Sequence, residues 1–436
     1  MFLETNRMTK SLLGFMVLLS AIGCVNKERP NKETIDDVAE SYVKLCLQVG
    51  QYDDSFVDAY YGPQKWQPKE KVQGDFPYEE LKWKANNLLH KIDAIDPQTC
   101  QKEMKLRRNF LVKQLEAVAT RLDIMSGKRL PFDMEAQKLY DATPPQAPLS
   151  YFDALVDSIN LLIPGEGPLN QRYLQYSKQF IIPPDKLSKV FDTAISEARN
   201  RVKEKIELPK EERFELSYVT NQPWSGYNWY QGNYHSLIQI NTDLPIYIER
   251  AIDLACHEGY PGHHVFNVML EKSLVKDKGW VEYMVYPLFS PQSFTAEGSA
   301  NFGIEMAFPG DERVEYEKSV LFPLAGIDPN LADEYYKIQA LRKKLNFAEI
   351  AIAREYLQGS IDPEEAESDL MKYLLFSKER AKQRLSFYTT YRSYVINYSL
   401  GEKMIKDFVN SFGVTDKEHW QAFYQLLSTP RTASVL

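Results

Sequence analysis

His257-Glu258-Gly259-Tyr260-Pro261-Gly262-His263-His264 is the stretch on which the rest of the chain turns. Three of the chain's six histidines fall within it, and a carboxylate directly follows the first. Upstream, Ile252, Leu254 and Ala255 continue an apolar pattern that begins near Ile246, so the spacing predicts a buried helix running into His257. A His-Glu pair closing a buried helix, with a further histidine just beyond, is the composition of a zinc hydrolase site. Imidazoles ligate the metal, and the carboxylate acts on the metal's water.

The spacing departs from His-Glu-x-x-His, which puts two histidines one turn apart on one face. Four residues after His257 stands Pro261, whose ring would clash with the His257 carbonyl in a regular helix. Gly262 frees the backbone beside it. In an unbroken helix His263 would point about 120° away from His257, and His264 would be in phase but roughly 10 Å further along. The motif therefore predicts a bulge or break at Tyr260-Pro261-Gly262 that swings one histidine back beside His257. Two geometries are open. Deleting Pro261-Gly262 on paper restores the standard spacing, makes His263 the second ligand and leaves His264 a neighbouring role toward substrate. Looping out Tyr260-Pro261-Gly262, close to one turn of 3.6 residues, would instead deliver His264. The first is the assignment adopted; the plain alternative to both is a helix end followed by two packing histidines.

The octet, together with the later run Phe294-Thr295-Ala296-Glu297-Gly298-Ser299-Ala300-Asn301-Phe302-Gly303-Ile304-Glu305, resembles a bacterial family known as domain of unknown function 885. That family is grouped with zincin metallopeptidases carrying a downstream Glu ligand. The resemblance runs over most of the chain after the leader and is strongest from Trp224 to Glu305. It implies a mainly α fold with a small antiparallel β-sheet, a zinc ion held by His257, His263 and Glu297, and Glu258 as the group that moves the proton. Glu297 matches the family's Glu-Gly motif. It lies on a predicted helix over 293–308 one turn from Asn301, with Glu305 as the fallback ligand. Gly298 supports Glu297 over a solvated face, since a glycine inside a helix costs about 1 kcal/mol and reflects close packing. Tyr398-Ser399-Leu400-Gly401 resembles the family's Tyr-x-x-Gly element, which makes Tyr398 the candidate to steady the oxyanion. Arg392, in the tyrosine row Tyr388, Tyr391, Tyr394 and Tyr398, is the candidate to grip substrate; the bland alternative for the row is packing.

The expected activity is that of a zinc-dependent metallohydrolase acting on peptides in the bacterial envelope, a peptidase or carboxypeptidase. The competing reading is a catalytically inactive envelope lipoprotein of the same fold that binds peptide or glycan. Hydrophobic residues make up 44% of 436, enough for a large core. The formal net charge of −8 supplies no basic stripe, which argues against nucleic acid as partner.

Residues 1–23 read as a lipoprotein signal peptide. Arg7 and Lys10 precede an apolar run from Leu12 to Ile22, too short to span a bilayer. The run ends Ala21-Ile22-Gly23-Cys24, which resembles a lipobox and predicts a lipid on Cys24 that anchors the chain to membrane. Residues 24–33 read as a polar tether. Residues 34–436 are expected to form a single large helical domain with the active-site core at 213–310. Cys46 and Cys100 could pair in an oxidising envelope, while Cys256 reads as a buried apolar residue.

Within that domain, Thr34 to Ile206 is predicted mostly helical. Phe214, Leu216 and Tyr218 alternate, as do Ile238 and Ile240, predicting two strands with a turn-rich aromatic loop, Pro223 to Gly232, between them. Asn241-Thr242-Asp243 then reads as an N-cap, with Pro245 in the first helical turn. Strand, cap, helix and His-Glu is the order in which an edge strand can lie along a cleft and pair with extended peptide; the alternative is a structural hairpin.

Overall fold

The computed structural model describes residues 34–69, 74–96, 101–222 and 224–436. The leader, Cys24, the tether, Cys100 and Pro223 lie outside the described residues, and with them the lipid anchor and the Cys46–Cys100 pairing. Cys46 is a buried free thiol, as is Cys256.

Thr34 opens the first helix, Ile35–Val49, through a capping box: its side chain accepts from the Asp37 N–H while the Asp37 carboxylate accepts from the Thr34 N–H. Helices Lys102–Met125 and Phe132–Tyr140 join it around one apolar core that includes Leu111, Leu115 and Phe132. The chain is helical over most of its described length, as the periodicity predicts. Asp362 caps helix Pro363–Tyr373, accepting from the Glu364 and Glu365 N–H groups, and Pro363 takes the first turn.

Five short strands stand among the described residues: β1 Val57–Tyr60, β2 Arg213–Val219, β3 Gly226–Gly232, β4 His235–Asn241 and β5 Val285–Pro287. The first falls within the stretch Thr34 to Ile206, read as mostly helical, and pairs antiparallel with β5. The other three form a sheet ordered β2-β4-β3, and it is mixed, not purely antiparallel: β2 runs parallel to β4, and β3 antiparallel to it. The aromatic loop expected between two strands is thus itself the third strand. Its inward face carries Asn228 and Tyr230, so no apolar alternation marks it. Asn233 and Tyr234 turn β3 into β4, both at positive φ as a two-residue hairpin requires, with a tyrosine where Gly is usual. The buried Glu271 carboxylate holds this turn by accepting from the N–H groups of Asn233 and Tyr234.

The cap expected at Asn241-Thr242-Asp243 is a correction. Asp243 accepts from the Asn221 N–H at 2.7 Å, and the Ile246 carbonyl accepts from the Ile182 N–H at 2.9 Å. These bonds tie 242–248 across the fold as irregular chain, and the helix starts only at Glu249.

One helix joins the two apolar cores. In Pro291–Ala307, Phe294 packs into the first core, while Ala296 and Phe302 pack into a second with Ile252, Phe266 and Phe423. Its residues are buried on nearly every side, so it shows no amphipathic stripe. Gly298 meets Gly401 of helix Ile396–Asn410 backbone to backbone; a Cβ at 298 would lie 2.6 Å from the Gly401 carbonyl carbon. This is the close packing that a glycine inside a helix predicts.

Candidate metal centre

The break in the motif takes a definite form. Helix Glu249–Leu254 widens into a π-turn over Ala255–Gly259, and the Tyr260 N–H reaches back five residues to the Ala255 carbonyl at 2.9 Å. Tyr260 is extended, the Tyr260–Pro261 peptide is cis, and a new helix begins at His263. Gly262 donates to the Cys256 carbonyl at 2.8 Å, and a Cβ there would collide with the His257 carbonyl oxygen. Only glycine allows the chain to fold back this tightly. Gly303 gives Pro261 its room from the other side, since a Cβ at 303 would meet the proline ring at 2.9 Å.

This turn sets His257 and His263 side by side, ring centroids 4.7 Å apart and nearly perpendicular. Glu297 completes the group: its Oε2 lies 3.4 Å from His257 Nε2 and 3.7 Å from His263 Nε2. Ligands about 2.0–2.2 Å from a tetrahedral ion sit roughly 3.3 Å from one another, so these atoms are spaced for a shared cation. Glu297 Oε2 is buried and has no hydrogen-bond partner, an orphaned acceptor that a cation would satisfy. The residues fit a divalent metal.

Outer contacts hold the ligands. Asn301 Oδ1 stands 3.0 Å from His257 Nδ1, so that Nδ1–H can donate to it and leave Nε2 facing the carboxylate. Asn301 donates in turn to the Tyr398 carbonyl at 3.3 Å. The Tyr394 hydroxyl donates to Glu297 Oε1 at 2.7 Å, fixing the oxygen that does not face the histidines. Burial opposes charge on His263, but Glu297, Glu258 and Asp58 outweigh it and push its pKa up to about 9. Burial likewise opposes charge on Glu297, yet the two histidines hold its carboxyl well below the usual range.

Glu258 is buried on the same π-turn, outside the ligand group. Its Oε1 faces Gly226 of β3, where a Cβ would lie only 3.0 Å away, and its carbonyl accepts from Asn228 Nδ2 at 2.7 Å. The sheet therefore touches the motif through this residue. Asp58 of β1 enters from another side, accepting from the Tyr227 hydroxyl at 2.6 Å. Burial pushes Asp58 up to about 6, against that hydrogen bond and the charge of His263. Tyr398 is half-buried, and burial with the nearby Glu297 raises its pKa far enough to keep it a neutral donor.

Three sequence-based assignments fall elsewhere. His264, expected near substrate, is fully buried facing the other way: Nδ1 lies 2.8 Å from Ser236 Oγ and Nε2 3.1 Å from Glu212 Oε1. Burial raises Glu212, but His264, Tyr260 and Arg199 outweigh it and hold that carboxyl at about 2. Arg392, expected to grip substrate, is committed to a structural pair, its Nε donating to the buried Glu135 carboxylate at 2.7 Å. Glu305, the fallback ligand, pairs with Lys406 at 2.6 Å near the surface. Asn301, Tyr394, Asp58 and Tyr227 were not singled out for the site. Asn301 had the one-turn spacing from Glu297 as a signal and Tyr394 its place in the tyrosine row; Asp58 and Tyr227 had none.

The class defined here is a mainly helical chain with a small mixed sheet and a candidate His-His-Glu metal centre. No protein-family model and no curated protein matches it. Among solved structures it is similar to a candidate lipoprotein from Colwellia psychrerythraea, with a TM-score of 0.50, 14% identity, 92% of this chain covered and 74% of that one. That likeness shows the fold. An M32 carboxypeptidase from Deinococcus radiodurans R1 aligns at a TM-score of 0.35 and 11% identity over 90% of this chain and 88% of that one.

Proposed function

We propose that the chain is a zinc metallopeptidase of the bacterial envelope, lipid-anchored through Cys24. The observation that carries the enzymatic reading is the convergence of His257, His263 and the unpartnered Oε2 of Glu297 beside a buried Glu258 that is not a ligand. A bound zinc ion would supply Lewis acidity and bring the pKa of a water toward roughly 7. Glu258 takes the proton of the attacking water and later passes it to the leaving amine. Tyr398 donates to the oxyanion, and Tyr394 and Asn301 keep the ligands aimed. Among the described residues β3 pairs with one strand, β4, and it passes against Glu258 through Gly226, which supports an extended peptide as the substrate.

Metal analysis tests the reading first. The leaderless chain should hold about one zinc, and His257→Ala and Glu297→Ala should each lose it. Full zinc in both variants would move the site elsewhere and remove the enzymatic reading with it. The anchor is tested separately: Cys24→Ser should leave the membrane fraction or stall in processing, and unchanged attachment with unchanged electrophoretic mobility counts against a lipid at Cys24.

A further inference from the structure

Beyond Tyr398 the chain gathers guanidinium groups that the proposed chemistry does not use. Arg384 donates from Nε to Glu349 Oε1, and its guanidinium carbon lies 5.8 Å from the centroid of the Tyr398 ring. Glu349 also accepts from the Tyr388 hydroxyl at 2.9 Å, so the Arg384 charge is met by a fixed carboxylate. One turn earlier on the same helix, Lys378–Tyr391, Arg380 is different. It is half-buried, it donates to the neutral Gln383 Oε1 at 2.6 Å and it lies over the Phe376 ring. Among the described residues no carboxylate stands within ion-pair distance of it.

Arg250 stands on helix Glu249–Leu254. It donates to Asp253 at 3.2 Å and to the Ser225 hydroxyl at 3.4 Å, and Asp253 is shared with Arg313 at 2.9 Å. Arg250 stands seven residues before His257, with the π-turn Ala255–Gly259 between the helix and that ligand. Ser225 adjoins Gly226, which lies against the Glu258 carboxylate. Arg384 thus lies against Tyr398, with Arg380 one turn from it on the same helix, and Arg250 reaches Ser225 at the start of β3. Burial, then Arg384 and Arg250, lower the pKa of Arg380, with Glu349 only partly offsetting them. Arg384 has Glu349 and Arg250 has part of Asp253, while Arg380 has no carboxylate partner among the described residues.

We infer that Arg380, one turn from Arg384 on the same helix, binds a carboxylate of the peptide substrate on the Tyr398 side of the site; this rests on the metallopeptidase reading. A guanidinium presents a planar fork of donors that matches a carboxylate with two parallel bonds, and here no protein carboxylate occupies it. The carboxylate is either the peptide's C-terminus, which makes the enzyme one that trims chain ends, or an acidic side chain, which makes it one that selects sequence.

Binding to zinc-loaded Glu258→Gln by titration calorimetry separates these without needing turnover. Three peptides of one sequence serve as probes: the free acid, the C-terminal amide, and an amide with one glutamate introduced. The free acid should bind about 10- to 100-fold more tightly than the plain amide, the range of a charge-assisted hydrogen-bonded pair. Adding Arg380→Ala should erase that preference while zinc content stays the same. Tight binding of the glutamate-bearing amide, also lost with Arg380→Ala, assigns the site to an acidic side chain. Equal binding of all three peptides, or a preference that survives Arg380→Ala, overturns the inference. A preference that depends on Arg380 in a protein whose native form cleaves none of the peptides keeps the carboxylate site and overturns the peptidase reading instead.

Discussion

Glu258→Gln is expected to keep its metal and to lose turnover by about 10²- to 10⁴-fold, the usual contribution of a positioned general base. The carboxylate is buried, sits on the π-turn directly after His257 and lies outside the group of three whose atoms approach one another. Its backbone is held by Asn228, and its side chain packs against the glycine at the start of β3. Glutamine has the same shape, so the packing survives and only the proton acceptor is removed. Metal content by mass spectrometry and the rate on any peptide the native chain cleaves decide the matter. A normal rate takes Glu258 out of the chemistry. Loss of metal would make it a ligand and move Glu297 to an outer, supporting role.

His263→Ala and His264→Ala should fail in different ways although the residues are neighbours. His263 faces Glu297 at 3.7 Å, so its loss should weaken metal binding by more than the about 10- to 100-fold that removal of an outer partner costs. His264 lies in the second core between Ser236 and Glu212. Its truncation leaves a cavity and unpaired polar groups, a loss of about 2–4 kcal/mol in folding stability with the metal still bound. Metal titration and denaturant unfolding of the two variants, run side by side, read both effects. Retention of metal by His263→Ala together with its loss from His264→Ala would mean that the looped-out geometry governs the motif in solution.

The parts of this site legible in the sequence are those set by short spacing. Pro261 four residues after His257 forces a break, and Gly298 inside an apolar helix calls for a close neighbour; both constraints act within a turn or two of chain. What escaped depends on partners far away in sequence. Nothing near Arg392 announces Glu135, and nothing near His264 announces Glu212, so in the sequence both side chains read as available to substrate although each is engaged in the fold. Asp58 escaped because β1 is four residues long and owes its conformation to β5. β3 escaped because its inward face is polar where it meets the motif: Asn228 is there to bind the Glu258 carbonyl. The cap read at Asn241-Thr242-Asp243 had the right chemistry, but the Asp243 carboxylate went to Asn221 instead of to a helix.

The contact between Gly298 and Gly401 carries a consequence for ancestry. A Cβ at 298 would drive into the Gly401 backbone at 2.6 Å, and a Cβ at 401 would press on the Gly298 Cα at 3.1 Å. Drift at one position therefore cannot be compensated at its partner, and both stand locked while the surrounding helices change. The two flank the proposed chemistry, one directly after Glu297 and the other three residues past Tyr398. A Glu-Gly and a distant Tyr-x-x-Gly, sought as a pair, should outlast overall resemblance and mark out chains that share this packing.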